Sequence, residues 1–147
     1  MVLDTPMSPS KISFAGPGKT EKALRQAAAA GIVVNLESDR EMEILAQVGA
    51  SLGLLPKVAV RVNPDFELKS SGMKMGGGPK QFGVDAERVP AMLARMKELQ
   101  LEFYGFHIFS GSQNLRAESI MEAQRNTLDL ARRLSASFRG IFSFQPI

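Results

Sequence analysis

An α/β fold built on parallel strands is predicted by three features of the sequence. Short apolar runs alternate with helical patterns, most connections between them are short, and four strand–helix pairs follow one another along the chain. Such alternation implies parallel strands joined by right-handed crossovers. A (β/α) barrel and a doubly wound sheet both satisfy it. Four units are about half of an eightfold barrel, which takes roughly 250 residues, so 147 residues are short for a whole one.

The elements follow in order. Residues 12–15, Ile-Ser-Phe-Ala, make a short strand that ends at Gly16-Pro17-Gly18. Thr20 caps a helix over 21–30, and Gly31 stops it. Ile32-Val33-Val34 reads as a buried strand closed by Asn35, and Ser38 with Glu41 forms a capping box for a helix through Val48. Residues 58–62 form the third strand, ended by Asn63-Pro64. A helix covers 89–99, with Pro90 tolerable only in its first turn. The fourth strand runs over 103–109 and the last helix over 117–137, with Met92 and Met96 as core residues of the helix before it.

One connection is long. Residues 63–85 contain five glycines and show neither a strand nor a helix period. Loops of this length often line a site, although a disordered insertion has the same signature. Phe66, Phe82, Lys69, Lys74 and Lys80 favour an ordered segment able to face an anion.

Composition narrows the functions. With 44% hydrophobic and 22% charged residues the chain is ordinary for a globular domain with its own core. Its net charge of +3 is modest and its basic residues are scattered, which argues against a nucleic-acid partner. Having no Cys, the chain makes no disulfide or thiolate metal site, and its single His makes a His-based metal site a poor reading. Residues 1–10 do not read as a signal peptide, and no apolar run approaches the roughly 20 residues of a membrane span. A cytoplasmic setting with no membrane partner is expected.

Four places could carry chemistry. Gly18-Lys19-Thr20 sits between strand and helix, where phosphate-cradling loops occur, but a Walker A loop would need Gly at position 13, which is Ser13. A tight turn with a charged helix start is favoured over a nucleotide site. Arg61 lies inside an apolar strand near its C-terminal end, so it is either a structural charge at an edge or in an ion pair, or it faces a cavity. His107, taken alone, is more often a satisfied polar residue than a catalyst. Ser110-Gly111-Ser112-Gln113 precedes a helix and reads either as a phosphate-binding turn or as a plain loop.

Three segments, taken in order, carry a resemblance. Arg61-Val62-Asn63-Pro64, then Ser71-Gly72-Met73-Lys74 leading to Phe82-Gly83-Val84, then Gly105-Phe106-His107 leading to Gly111-Ser112-Gln113, resemble the ornithine, diaminopimelate and arginine decarboxylases. Those are pyridoxal 5'-phosphate (PLP) enzymes with an alanine-racemase-like barrel. Residues 63–85 look closest to the subgroups that act on carrier-protein-bound amino-acyl groups or accompany exosortase systems. The resemblance implies a partial (β/α)8 TIM-type PLP-binding barrel of about four βα units over residues 12–137. Residues 1–11 would be a lead and 138–147 a tail outside the family pattern.

It also implies roles. Arg61 would lie beside the phenolic oxygen of PLP, and Ser112 with the Gly111 backbone would contact its phosphate. The family places a His two residues before that glycine, stacked on the pyridine ring; this chain has Phe109, which can stack but cannot donate a proton. The Schiff-base lysine belongs to the first strand of the family's barrel, and none of Lys11, Lys19 and Lys22 sits in its motif. No catalytic residue is therefore assigned. The implied activity is decarboxylation of an amino acid or a carrier-bound amino-acyl group by the intact, homodimeric relative. A fragment of this kind would be inactive alone, and the alternative is a non-catalytic phosphate-ligand-binding protein of the same fold.

Overall fold

A computed structural model describes residues 4–66, 82–110 and 116–138. Five parallel strands and four α-helices alternate through them: β1 (Ser13–Phe14), α1 (Glu21–Ala29), β2 (Val33–Leu36), α2 (Asp39–Leu52), β3 (Lys57–Asn63), β4 (Val84–Asp85), α3 (Val89–Glu98), β5 (Glu102–Ile108) and α4 (Ala117–Phe138). β3 is the centre of the sheet. β2 pairs along one edge of it through Val34↔Val58 to Leu36↔Val60, and β1 pairs β2 beyond. β5 pairs along the other edge from Lys57↔Glu102 to Val62↔Ile108, with a register shift between Val58 and Ala59. The two-residue β4 extends the β2 side through Val62↔Val84 and Asn63↔Asp85.

The sheet has an apolar and a polar face, as alternation along a strand dictates. Val34, Leu36, Val58, Val60 and Val62 are buried in one cluster with Leu24 of α1, Met42 and Leu45 of α2, Leu93 and Met96 of α3, and Leu130 of α4. Burying each such Leu or Met contributes about 1.5–3 kcal/mol, so this face holds the helices on the sheet. Met92 and Met96 are core, as their helical spacing implies. The residues between the valines are different. Asn35, Arg61 and Asn63 alternate with them, and the register places His107 beside Arg61. One face therefore packs helices and the other collects polar groups.

Local signals set most element ends. Thr20 accepts a hydrogen bond from the Ala23 N–H at 3.2 Å, and Ser38 accepts one from the Glu41 N–H at 3.2 Å. The capping box is altered, because the Glu41 carboxylate reaches back to the N–H of Glu37, one residue before the cap. Pro90 lies in the first turn of α3, where its missing N–H costs nothing.

Two features depart from the sequence expectation. β4 falls inside the connection read as having no strand period; at two residues it is too short to show one. Gly83, just before it, adopts φ +82°, and a Cβ there would stand 2.9 Å from the Arg61 carbonyl oxygen. The other departure is α2, which continues past Val48 to Leu52. Gly49 would ordinarily weaken a helix, but here its bare Cα makes room for Pro56, whose Cδ would be 2.6 Å from an added Cβ.

This close approach reverses the usual effect of a helical glycine. Gly to Ala inside a helix ordinarily gains roughly 0.5–1 kcal/mol, whereas overpacking costs about 1–3 kcal/mol. Gly49→Ala is expected to lower the stability of the chain by about 1 kcal/mol or more. Urea denaturation would read this as a lower midpoint at unchanged slope.

Candidate functional site

The polar face culminates in an ionic cluster at the C-terminal ends of β1, β2 and β3. Its first member comes from the turn between β1 and α1. Gly16 and Gly18 take positive φ values of 110° and 69°, and the turn sends the Lys19 side chain inward. That side chain is 1% exposed. Its ammonium donates to the Gly16 carbonyl, to the Asn35 carbonyl at 2.8 Å and to Glu41 Oε2 at 3.2 Å. It also lies 4.0 Å from Glu37 Oε1 and 5.6 Å from the centre of the Phe14 ring. The tight turn is as expected, but the charge at its end is buried among acceptors.

Glu37 and Glu41 supply the opposite charges. Glu41 sits in the first turn of α2, where the helix dipole favours a carboxylate. Glu37 follows β2 directly and is 3% exposed in its side chain. Its Oε1 accepts from the Gly16 N–H at 2.7 Å, and both its oxygens accept from Arg61 Nη1, at 3.1 and 3.2 Å. Lys19 and Arg61 thus balance Glu37 and Glu41 in one cluster, and every carboxylate oxygen has a donor.

Arg61 projects from the central strand and keeps 15% of its side chain exposed. Phe82 lies against the guanidinium, 5.0 Å from ring centre to Cζ. The ion-pair reading of Arg61 is met, since it pairs with Glu37 on the polar face near the C-terminal end of β3. It is not on an edge, since β3 is paired on both sides. Next to it across β5, His107 has a buried Nδ1 with no hydrogen-bond partner among the described residues. Burial, and then the nearby Arg61 charge, hold the His107 pKa below its ordinary 6.5, with Glu37 opposing more weakly. The imidazole is accordingly neutral at pH 7.

At the mouth of the cluster, Asn63 Nδ2 donates to Asp85 Oδ1 at 2.7 Å and ties β4 to β3. Arg133 of α4 grips both Asp65 oxygens at 2.9 and 2.8 Å just beyond β3. Phe109 follows β5 directly and is half-buried. Phe66 packs partly buried against the core. Gly111, Ser112, Lys69, Lys74 and Lys80 lie outside the described residues. The sequence singles out Arg61, which is in this cluster, and Phe109, which follows β5; it gives no site role to Glu37, Glu41 or Lys19. A glutamate directly after a buried strand and directly before a helix cap was the available signal.

Polar residues gathered at the C-terminal ends of parallel strands, with helices on the opposite face, are the arrangement of an α/β barrel. Comparison with known proteins gives the family. The profile of the pyridoxal-dependent decarboxylase pyridoxal-binding domain matches residues 1–139. An L-glutamyl-[BtrI acyl-carrier protein] decarboxylase of Niallia circulans is 36% identical over 129 residues, covering 86% of this chain and 30% of that protein. A diaminopimelate decarboxylase of Pseudomonas aeruginosa is 35% identical, covering 95% of this chain and 34% of its own. The crystal structure of diaminopimelate decarboxylase from Helicobacter pylori complexed with L-lysine superimposes with a TM-score of 0.73 at 28% identity, over 92% of this chain and 34% of that one. This chain belongs to the pyridoxal-dependent decarboxylase family, within its PLP-binding domain. It spans about a third of the length of the relatives it matches. No helix among the described residues is long and apolar enough to cross a membrane.

Two outcomes follow for the cluster. Lys19→Met leaves two buried carboxylates with one cation and is expected to cost about 3–5 kcal/mol, measured by denaturant unfolding. His107 makes stability pH-dependent in a definite sense. Its proton is held more weakly in the folded chain than in the unfolded one, so the unfolded chain takes up the proton first as pH falls below about 6.5. The His107 contribution is present above that pH and declines as pH drops toward the lowered folded value. Melting temperatures recorded between pH 7.5 and 5.5 should show a slope that His107→Gln removes.

Proposed function

We propose that the chain forms the leading part of the cofactor barrel of a PLP-dependent decarboxylase. The observation that carries this reading is Arg61, held by Glu37 near the C-terminal end of the central parallel strand with part of its side chain exposed. The residues present suit an aromatic ring bearing an anionic oxygen. Arg61 would hold the phenolic oxygen, Phe109 would pack on the ring, and Gly111 with Ser112 would hold the phosphate. Residues 12–137 are assigned to this barrel portion, and 138–147 to a tail outside the family pattern. PLP, when bound, supplies an electron sink for the pair released as carbon dioxide departs. The chain's own residues orient and neutralise: Glu37 fixes Arg61, and His107 stays uncharged beside it.

The substrate of the intact protein is an amino acid or an amino-acyl group on a carrier protein. The 36% identity to a carrier-protein glutamyl decarboxylase supports the second. The subgroup associated with exosortase systems is the neighbouring assignment. The setting is the cytoplasm, and the working form of the intact enzyme is a homodimer. This chain alone does not complete the reaction. Lys19 is committed to three acceptors and buried, which leaves it a poor nucleophile toward an aldehyde. A second reading, a non-catalytic protein that holds a phosphorylated ligand, is favoured by Phe109, which cannot transfer a proton.

Titration of the purified chain with PLP by absorbance, followed by borohydride reduction and peptide mapping, tests these readings. Scattered labelling, or none, is the expected result. Stoichiometric labelling of one lysine would show that the chain carries its own attachment site and would overturn the proposal that it is inactive alone. Saturable binding of a phosphate ester without covalent attachment would select the second reading.

A further inference from the structure

The ionic cluster divides into two halves of different character. In one, Lys19 and Glu41 satisfy each other and the surrounding backbone, and neither has polar atoms to spare. In the other, Glu37 uses both oxygens on the single nitrogen Nη1 of Arg61. A guanidinium has five N–H donors in a rigid plane. With Nη1 on Glu37 and Phe82 over the guanidinium, Nε and Nη2 have no acceptor among the described residues. Among the described residues Arg61 therefore keeps one edge unpaired, and its charge is already matched by a carboxylate.

We propose that Glu37 is a specificity-determining residue: by cancelling the charge of Arg61 and fixing its plane, it makes this point of the site accept a single weakly charged oxygen, such as a phenolic or carboxylate oxygen, and disfavour a phosphate dianion. The inference rests on the reading of Arg61 as a ligand-facing group and deepens it. A phosphate set against the Nε–Nη2 edge of Arg61 would be drawn by one positive charge and repelled by the adjacent carboxylate. That repulsion acts on two negative charges in a partly buried setting, where charge interactions are several times stronger than in water. A phenolic oxygen carries at most one charge, spread over its ring, and still gains a directional hydrogen bond. The arrangement thus keeps the phosphate of a phosphorylated ring away from Arg61 and admits the ring's own oxygen, so that the ligand enters in one orientation.

The chain's one His reads the test directly. His107 neighbours Arg61 in register, and its imidazole resonances need no assignment. Inorganic phosphate is titrated into the wild type, Glu37→Gln, Glu41→Gln and the double variant Glu37→Gln/Arg61→Gln, and followed through the His107 signals. Glu37→Gln is expected to bind phosphate at least about tenfold more tightly than the wild type. Glu41→Gln removes an equal charge from the Lys19 half, and the double variant removes the receiving cation; neither should gain. Unchanged or weaker binding by Glu37→Gln would overturn the proposal. An equal gain in Glu41→Gln would overturn it too, by showing that net charge rather than placement decides. A gain that persists in the double variant would show that Arg61 is not the anion-facing group. Should Glu37→Gln not fold, Glu37→Asp, which draws the carboxylate back from Arg61, is expected to give a smaller gain, and its absence would count equally against the idea. Failure of the wild type to bind PLP, alongside the phosphate gain, would remove the cofactor reading and leave the role of Glu37 standing.

Discussion

The structure depends on a buried pairing of two cations with two carboxylates. Lys19, Glu41, Glu37 and Arg61 come from three successive strand–helix units, and their hydrogen bonds cross from each unit to the next. Hydrophobic burial holds the helices to the sheet, but it is non-directional and would tolerate some sliding. Charges out of water are less forgiving, because an ion that loses its partner in the interior is strongly destabilising. The cluster therefore pins the β1–α1 turn, the start of α2 and the end of β3 in one mutual arrangement.

That arrangement is also what makes the polar face useful. Alternation along β2 and β3 sends valines and Leu36 to the helices and Asn35, Arg61 and Asn63 to the other side. The cluster lies where these polar residues reach the C-terminal strand ends, and Arg61 is its one member with donors left unpaired among the described residues. On the proposed reading, stability and recognition share residues. Glu37 belongs to both, whereas Lys19 and Glu41 are turned toward the interior and serve the first.

Much of this was legible in the sequence, and what was missed was missed for identifiable reasons. The strand–helix alternation and the caps at Thr20 and Ser38 are local signals, and the structure reproduces them. Arg61 announced itself as a charge inside an apolar strand. Lys19 did not, because its neighbours Gly18 and Thr20 suggest a phosphate loop and nothing local shows that the side chain turns inward toward Asn35 and Glu41, 16 and 22 residues away. Glu37 carried no reading of its own, lying between the strand closed by Asn35 and the cap at Ser38. Its meaning depends on Arg61, 24 residues later, which no local pattern reports. The extension of α2 past Gly49 depends likewise on Pro56 returning to pack there. Of the cofactor contacts suggested by resemblance, Arg61 and Phe109 can be placed, while Gly111 and Ser112 fall outside the described residues.

The order of the cluster along the chain has a consequence for synthesis. A chain made from its N-terminus presents Lys19 first, then Glu37 and Glu41, and Arg61 last. Until β3 emerges, the first two units hold one cation against two carboxylates, an excess negative charge that cannot be buried cheaply. Charge balance in the cluster is therefore complete only once the third strand has been made, since its second cation comes last in the chain.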